Sequence, residues 1–449
     1  MSKAGILSEV TGLDIISEGS ERAVASKRLP QHTFSELLIP MSSALDLAEG
    51  RQPGHARRVC FIATSLAETM GLSSELRLAS CYAGLMHDVG TVAAGAGLAA
   101  HVRGDERLVF ASLPLLTPEE VAVGSSDSPE AVIDRLLDHV VHGARAAQEL
   151  SLPNEAIRGI ASHHERWDGA GYPHGLRGQE IPVVGRIVAL ADQIEALIDQ
   201  STPLLARRNF GYWLSQLAGG EADPKAVDAL HGLGNGDAFW LGFFSADLAV
   251  ELGAACARLR EHRATRLMPF CEAFAQLLDG RFSFSVGVSR RVARYMEAMG
   301  EASGFSENRV RLLRVAALLH DVGQLAVSER ILAKPAILSV DELELLRLHP
   351  VYSYEVVEGI SGLEEVSDWI SAHHERIDGK GYPEGRAGTE IPLEARMLAV
   401  ADAYVSITSD RPHRERVEGA DAARRLRAAA GTHLDAGLVD FFLRQVVRV

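Results

Sequence analysis

From about Phe34 onward, apolar residues return at intervals of three and four positions, the spacing that lines one face of a helix. Val59-Cys60-Phe61-Ile62-Ala63-Thr64-Ser65-Leu66-Ala67 is one such run. Leu76 to Met86 and Leu312 to Leu319 are two more, and each leads straight into a His-Asp pair. Alternating β-branched runs do not occur in regular succession, and there is no Gly-x-Gly-x-x-Gly or Walker-type loop, so a nucleotide-binding α/β sheet is not expected. The pattern predicts an all-α chain. Residues 1–35 lack the period and read as an irregular leader. A first helical domain is expected over 36–250 and a second over 269–449. Residues 251–268 read as a helical connector, with Pro269 as its breaker. The Gly/Ala/Ser/Pro-rich stretch 92–129 reads as a loop insertion in the first domain.

The two domains are copies. His163-His164-Glu165-Arg166-Trp167-Asp168-Gly169-Ala170-Gly171-Tyr172-Pro173 returns 210 residues later as His373-His374-Glu375-Arg376-Ile377-Asp378-Gly379-Lys380-Gly381-Tyr382-Pro383, identical at nine of eleven positions. Asp192 and Asp402 each stand 28 residues after the second histidine of the pair, and His139 and His349 each stand 24 before the first. Upstream lie His87-Asp88-Val89-Gly90 and His320-Asp321-Val322-Gly323. His55 stands 32 residues before His87; the same interval before His320 reaches Val288. A duplicated module that keeps histidines and aspartates in register is built around metal-ligand residue types.

Composition narrows the chemistry. Net charge is −15 with no Lys/Arg-rich run, which argues against a polymeric nucleic-acid partner. A small anionic substrate stays open, because a bound cation reverses the local field. The four scattered cysteines, Cys60, Cys81, Cys256 and Cys271, read as buried thiols of a reducing cytoplasm. No signal pattern and no apolar run of membrane-spanning length stands out, so a cytoplasmic protein is expected. Adjacent helical residues point about 100° apart, so His-Asp and His-His pairs suit two metals sharing a space. Asp88 is the natural bridge between them. A nitrogen and oxygen donor set without thiolate suits iron or manganese, with nickel or zinc as alternatives. Two ions about 3.5–4 Å apart would acidify a water and clamp a phosphodiester. His142, one turn beyond His139, is a rival for its place.

These strings resemble the HD-GYP branch of the HD metal-dependent phosphohydrolases, over both halves of the chain. The resemblance implies an all-helical bacterial enzyme that opens cyclic di-GMP, or a related cyclic dinucleotide, through a two-metal-activated hydroxide. It implies ligands at His55, His87, Asp88, His139, His163, His164 and Asp192 in the first module. In the second it implies His320, Asp321, His349, His373, His374 and Asp402. His87 and Asp88 would be the catalytic pair; Arg166, Thr91, Gly171, Tyr172 and Pro173 would face or shape the substrate pocket. Three positions depart from the family pattern. Thr91 and Gln324 stand where it has Lys, Val288 stands where it has His, and Arg51 and Phe284 stand where some members place a third-ion Glu. Two ions are therefore expected in the first module and one or none in the second. A cyclic-dinucleotide binder or scaffold without turnover, with a homodimer or signalling-protein partner, is the alternative. Hydrolysis of another nucleotide phosphoester is a third reading.

Overall fold

The computed structural model describes residues 31–449 except 103, 126–128, 260, 262–266, 283 and 412–413. Residues 1–30 of the expected leader thus lie outside the described residues, and its last two, Phe34 and Ser35, already belong to the first helix. Among the described residues there are helices and three isolated bridges but no strand, so the chain is all-α. It folds into two compact units: His32–Thr265 with Ser328–Arg330, and Arg266–Val327 with Ile331–Val449. No single helix among the described residues is long and apolar enough to cross a membrane.

In the first unit α1 is Phe34–Ala48, α2 His55–Thr69 and α3 Ser74–Met86. Thr33 caps α1 in a capping box with Glu36, and the Ser73 side chain accepts from Leu76 N–H to cap α3, satisfying amides that a helix start leaves unpaired. The stretch expected to be a loop is helical instead: α4 is Thr91–Leu98, α5 Arg107–Phe110 and α6 Pro118–Ser125. Its Leu98, Val109, Phe110, Leu113 and Ala122 bury together with Val132 and Leu136 of α7, Pro129–Glu149. Small and apolar residues that looked like loop composition are here the packing surface of short helices. Then follow α8, Asn154–Ala161; α9, Val183–Leu197; α10, Pro203–Leu217; α11, Pro224–Gly234; α12, Asp237–Phe243; and α13, Leu248–Arg258. Helix α13 buries Leu252 and Cys256 and packs on α1 and α2. This part of the expected connector therefore belongs to the body of the first unit.

The second unit repeats the plan with α14, Leu267–Asp279; α15, Val288–Ser303; and α16, Glu307–Leu319. Pro269 sits in the first turn of α14 rather than ending a helix, because a helix start has no use for its missing N–H. A 3-10 turn, Val322–Ala326, and short helices α17, Glu329–Leu332, whose first two residues are counted with the first unit, and α18, Val340–Arg347, stand where the first copy has its insertion. Helix α19 is His349–Glu358, α20 Glu364–Ser371, α21 Leu393–Ile407, α22 Gly419–Ala429 and α23 Ala436–Phe441. All four cysteines are buried and unpaired by disulfides.

Candidate metal centres

The first cluster is assembled from helix ends. Asp46 on α1 accepts hydrogen bonds from the amides of Gly54 (2.6 Å) and Ala56 (2.9 Å). This fixes the start of α2 and turns its first residue, His55, inward, where it is 1% exposed. Helix α3 ends in His87 and Asp88. The chain can then turn beneath α7 because residue 90 is glycine: a Cβ there would lie 1.8 Å from the His139 carbonyl oxygen. That close approach brings His139 over Asp88. His163 and His164 follow the end of α8, and α9 contributes Asp192.

The imidazoles are held by their own turns. Nδ1–H of His87 donates to Gly84 O at 3.0 Å, that of His163 to Ile160 O at 2.7 Å, and that of His139 to Leu136 O. The Nε2 atoms are left to point at the carboxylates. Asp88 Oδ1 lies 3.2 Å from His163 Nε2 and 3.5 Å from His139 Nε2, while Oδ2 lies 3.2 Å from His87 Nε2. Asp192 Oδ1 lies 3.5 Å from His55 Nε2 and 3.7 Å from His87 Nε2. Among the described residues, Nε2 of His55, His87, His139 and His164 and Oδ1 of Asp192 are buried without a hydrogen-bond partner. Buried polar atoms are rarely left unpaired, and a ring of buried nitrogens around carboxylates fits a divalent cation.

Two donor sets result. Asp88, His139, His163 and His164 form one; Glu49, His55, His87 and Asp88 form the other, with ligand atoms in each set within 4.8 Å of one another. Asp88 belongs to both. His142 belongs to neither. Glu49 carries no signal in the sequence, because one helical turn before His55 reaches Arg51, four residues back. The chain between α1 and α2 is not helical there, so a residue six before His55 can reach in. Arg51 instead lies with Nε 3.6 Å from Glu49 Oε2 and donates through Nη2 to Ala111 O at 2.9 Å. Glu195, one turn beyond Asp192, was also missed. Its carboxylate meets His55 Nδ1 at 2.5 Å and Arg58 Nε at 2.7 Å, the outer contact that orients a ligating imidazole.

The electrostatics follow this layout. Burial works against a charged His87, yet the carboxylates of Asp88 and Asp192 outweigh it and push the imidazole up to about 9. Burial likewise opposes the Asp88 carboxylate, but His87, with His139 and His163, holds it well below the usual range. His164 is driven well down by burial and by its neighbours His163 and His139. Burial opposes the Glu195 carboxylate, yet His55 and Arg58 keep it at about 2.

The Gly-Tyr-Pro loop closes the His163-His164 end. A Cβ on Gly171 would lie 2.2 Å from Arg166 N and 2.5 Å from His164 O, so the chain folds back only with glycine there. Tyr172 N–H donates to His164 O at 3.1 Å, and its ring stacks on His164 with centroids 4.8 Å apart. The Tyr172 hydroxyl is buried without a partner among the described residues. Glu165 accepts from His174 N and Leu176 N at 2.7 and 2.9 Å. Arg166 forks onto Asp168 at 2.7 and 3.2 Å and reaches Glu221 at 3.2 Å, so it organises the loop. Thr91, expected to face substrate, is 3% exposed and donates its hydroxyl to Asp88 O at 2.7 Å; the structure commits it to the turn.

The second cluster keeps half of this. Asp321, His349, His373 and His374 form a donor set. Asp321 Oδ1 lies 3.2 Å from His349 Nε2, and Oδ2 lies 3.3 Å from His320 Nε2. Asp402 Oδ1 lies 3.8 Å from His320 Nε2. The set matching Glu49, His55 and His87 is not found among the described residues. In register, Phe282 replaces Glu49, Val288 replaces His55 and Val405 replaces Glu195.

A family model described as HD domain matches residues 117–218 and 272–438. The chain belongs to the HD domain family. Both copies of its His-His-Glu-Arg-x-Asp-Gly-x-Gly-Tyr-Pro string are of the HD-GYP kind. This HD protein is 29% identical, over 417 residues, to 3'3'-cGAMP-specific phosphodiesterase 3 of Vibrio cholerae, covering 86% of this chain and 88% of that one. It is 39% identical over 172 residues to a cyclic di-GMP phosphodiesterase response regulator of Xanthomonas campestris pv. campestris, covering 38% of this chain and 46% of the relative. A crystal structure of a cyclic GMP-AMP specific phosphodiesterase of V. cholerae superposes with a TM-score of 0.65 at 24% identity, over 93% of this chain and 98% of that one; the tandem helical fold is shared.

Proposed function

We propose that the first unit is a metal-dependent phosphodiesterase that opens a cyclic dinucleotide, and that the second unit holds one ion or none. The observation that carries this is the ring of buried, unpartnered Nε2 atoms on both sides of Asp88. The named activities of the relatives support the substrate class. Divalent ions, when bound, polarise a phosphoryl oxygen and acidify a water. Asp88 offers one oxygen to each donor set and would be shared by both ions. His139, His163 and His164 would hold one ion with it; Glu49, His55, His87 and Asp192 would hold the other. Tyr172, stacked on His164, forms the wall and has a hydroxyl free to donate to a phosphate oxygen. Iron or manganese suits this mixed donor set.

One observation favours a second reading, a binder with slow turnover. No cation follows either His-Asp-Val-Gly string: Thr91 is buried in its own turn, and Gln324 carries no charge. A general acid contributes about 10²–10⁴-fold. The experiment is elemental analysis of anaerobically purified protein, with turnover of cyclic di-GMP and 3'3'-cGAMP on the same sample. Two ions per chain or more, with linear product, supports the enzyme. Ions with dinucleotide binding but no product supports the binder. No ions at all overturns both.

A further inference from the structure

The second unit carries a cavity of about 510 Å³ between α14, α15 and α16, among whose lining residues are Arg290, Arg291, Arg294, Arg314, Glu272 and Glu297. In a chain of net charge −15, four guanidinium groups around one cavity are an excess. Arg314 takes both carboxylates, Glu272 at 2.8 Å and Glu297 at 3.3 Å. The other three have no acidic partner among the described residues. Arg290 donates to the Gln276 side chain at 2.5 Å, and Arg291 to Ser409 Oγ at 2.8 Å and Thr408 Oγ1 at 2.6 Å. Arg294 is exposed. Guanidinium groups matched to neutral oxygens keep their positive charge available for an anion.

The duplicate shows that this face has other uses. The register of 233 residues keeps arginine at Arg57 and Arg58 of the first unit, matching Arg290 and Arg291, but places Ile39, Phe61 and Cys81 where the second unit has Glu272, Arg294 and Arg314. There those three positions are apolar and are covered by α12 and α13: Phe61 meets Phe239 with centroids 5.6 Å apart, and Cys81 Sγ lies 3.0 Å from Cys256 Sγ. The plan shared by the two units therefore does not require Arg294 or Arg314 at this face, and these two add charge beside the retained Arg290 and Arg291. The cavity is of ligand size, and Ala293 and Leu318 add an apolar wall to it.

We infer that this cavity binds a phosphate-bearing small molecule of nucleotide size, with its phosphates on Arg290, Arg291 and Arg294. It lies in α14–α16 and uses none of the His/Asp donors. The test is isothermal titration of the full-length protein with GTP and, separately, inorganic pyrophosphate. The comparison variant is Arg290→Gln/Arg294→Gln, which changes residues that no hydrophobic core depends on; circular dichroism and melting temperature check that it folds. Removing two charged hydrogen-bond donors should weaken binding by about tenfold or more. Arg290→Lys/Arg294→Lys should retain most of it, which separates charge from folding. The inference is overturned if neither probe gives a saturable isotherm, or if binding survives in the glutamine variant, which would place the ligand at the metal clusters.

Discussion

The two units began as one design and now differ most around a single histidine. In the first, His55 stands between Asp192 and Glu195, with Glu49 beside it. In the second, Val288, Val405 and Phe282 occupy those places, with Val288 and Val405 buried. The imidazole, the carboxylate that meets its Nδ1 and the nearby Glu49 are all matched by apolar residues. A carboxylate such as Glu195 has no reason to stay buried without an imidazole and an arginine to answer it. The cap that places this position did survive: Asp279 accepts from Ser289 N at 3.0 Å and Ser289 Oγ at 2.7 Å, as Asp46 does for α2. The cluster that remains is also more open, with the Asp321 and Asp402 side chains 29% and 19% exposed against 6% and 3% for Asp88 and Asp192. Capping is what the scaffold needs, and both units keep it; the second donor set is found, among the described residues, in the first unit alone.

The sharpest way to break this contrast is to remove each central aspartate. Asp88→Asn should cut turnover by about 10³-fold, since the divalent ions it is proposed to share would supply several kcal/mol of transition-state stabilisation. Asp321→Asn should change it by less than about threefold. Steady-state assays on both decide the matter, and equal losses would refute the assignment of turnover to the first unit.

Glu195 comes next. Glu195→Gln should weaken metal affinity of the first site by about 10–100-fold, read by competition with a chelating dye. It should also change acid stability. The folded carboxylate titrates at about 2 against an ordinary 4.5. Its ionised form therefore stabilises the fold above about pH 4.5, and that contribution is lost as pH falls toward 2. Urea unfolding of the metal-free protein between pH 5 and 2.5 should show a shallower loss in the glutamine variant; parallel curves would mean that the ion pairs with His55 and Arg58 contribute nothing.

Rebuilding is the converse. Val288→His/Val405→Glu should raise the metal content of an Asp88→Asn protein by up to one ion per chain, with a lower melting temperature because polar groups enter a packed site. An unchanged ion count would show that the loss of Glu49's counterpart alone closes the position. Smallest is Thr91→Val, which deletes only the bond to the Asp88 carbonyl. It should cost about 1 kcal/mol of stability and leave KM unaltered. A large rise in KM would return Thr91 to the substrate.

Helicity, duplication and the His/Asp register could all be read from the sequence, because period and spacing survive translation into three dimensions. Glu49 could not, since the turn between α1 and α2 has no helical period and its counterpart is a phenylalanine. Glu195 was visible three residues after Asp192, but a carboxylate that serves an imidazole looks like any other on a helix. Residues 92–129 misled because alanine and glycine read as loop when counted by composition, while their burial against α7 depends on partners far along the chain. Thr91 looked like a lost catalytic group. Only its burial shows that its side chain belongs to the turn.

Each imidazole of the two clusters with its Nδ1 on a carbonyl three residues back has its ring angle decided within one helical turn. Such a cage loses few rotors when it fills. Little conformational entropy then stands against uptake, so occupancy should be governed by how well an ion's radius and preferred directions match nitrogens that will not move to meet it.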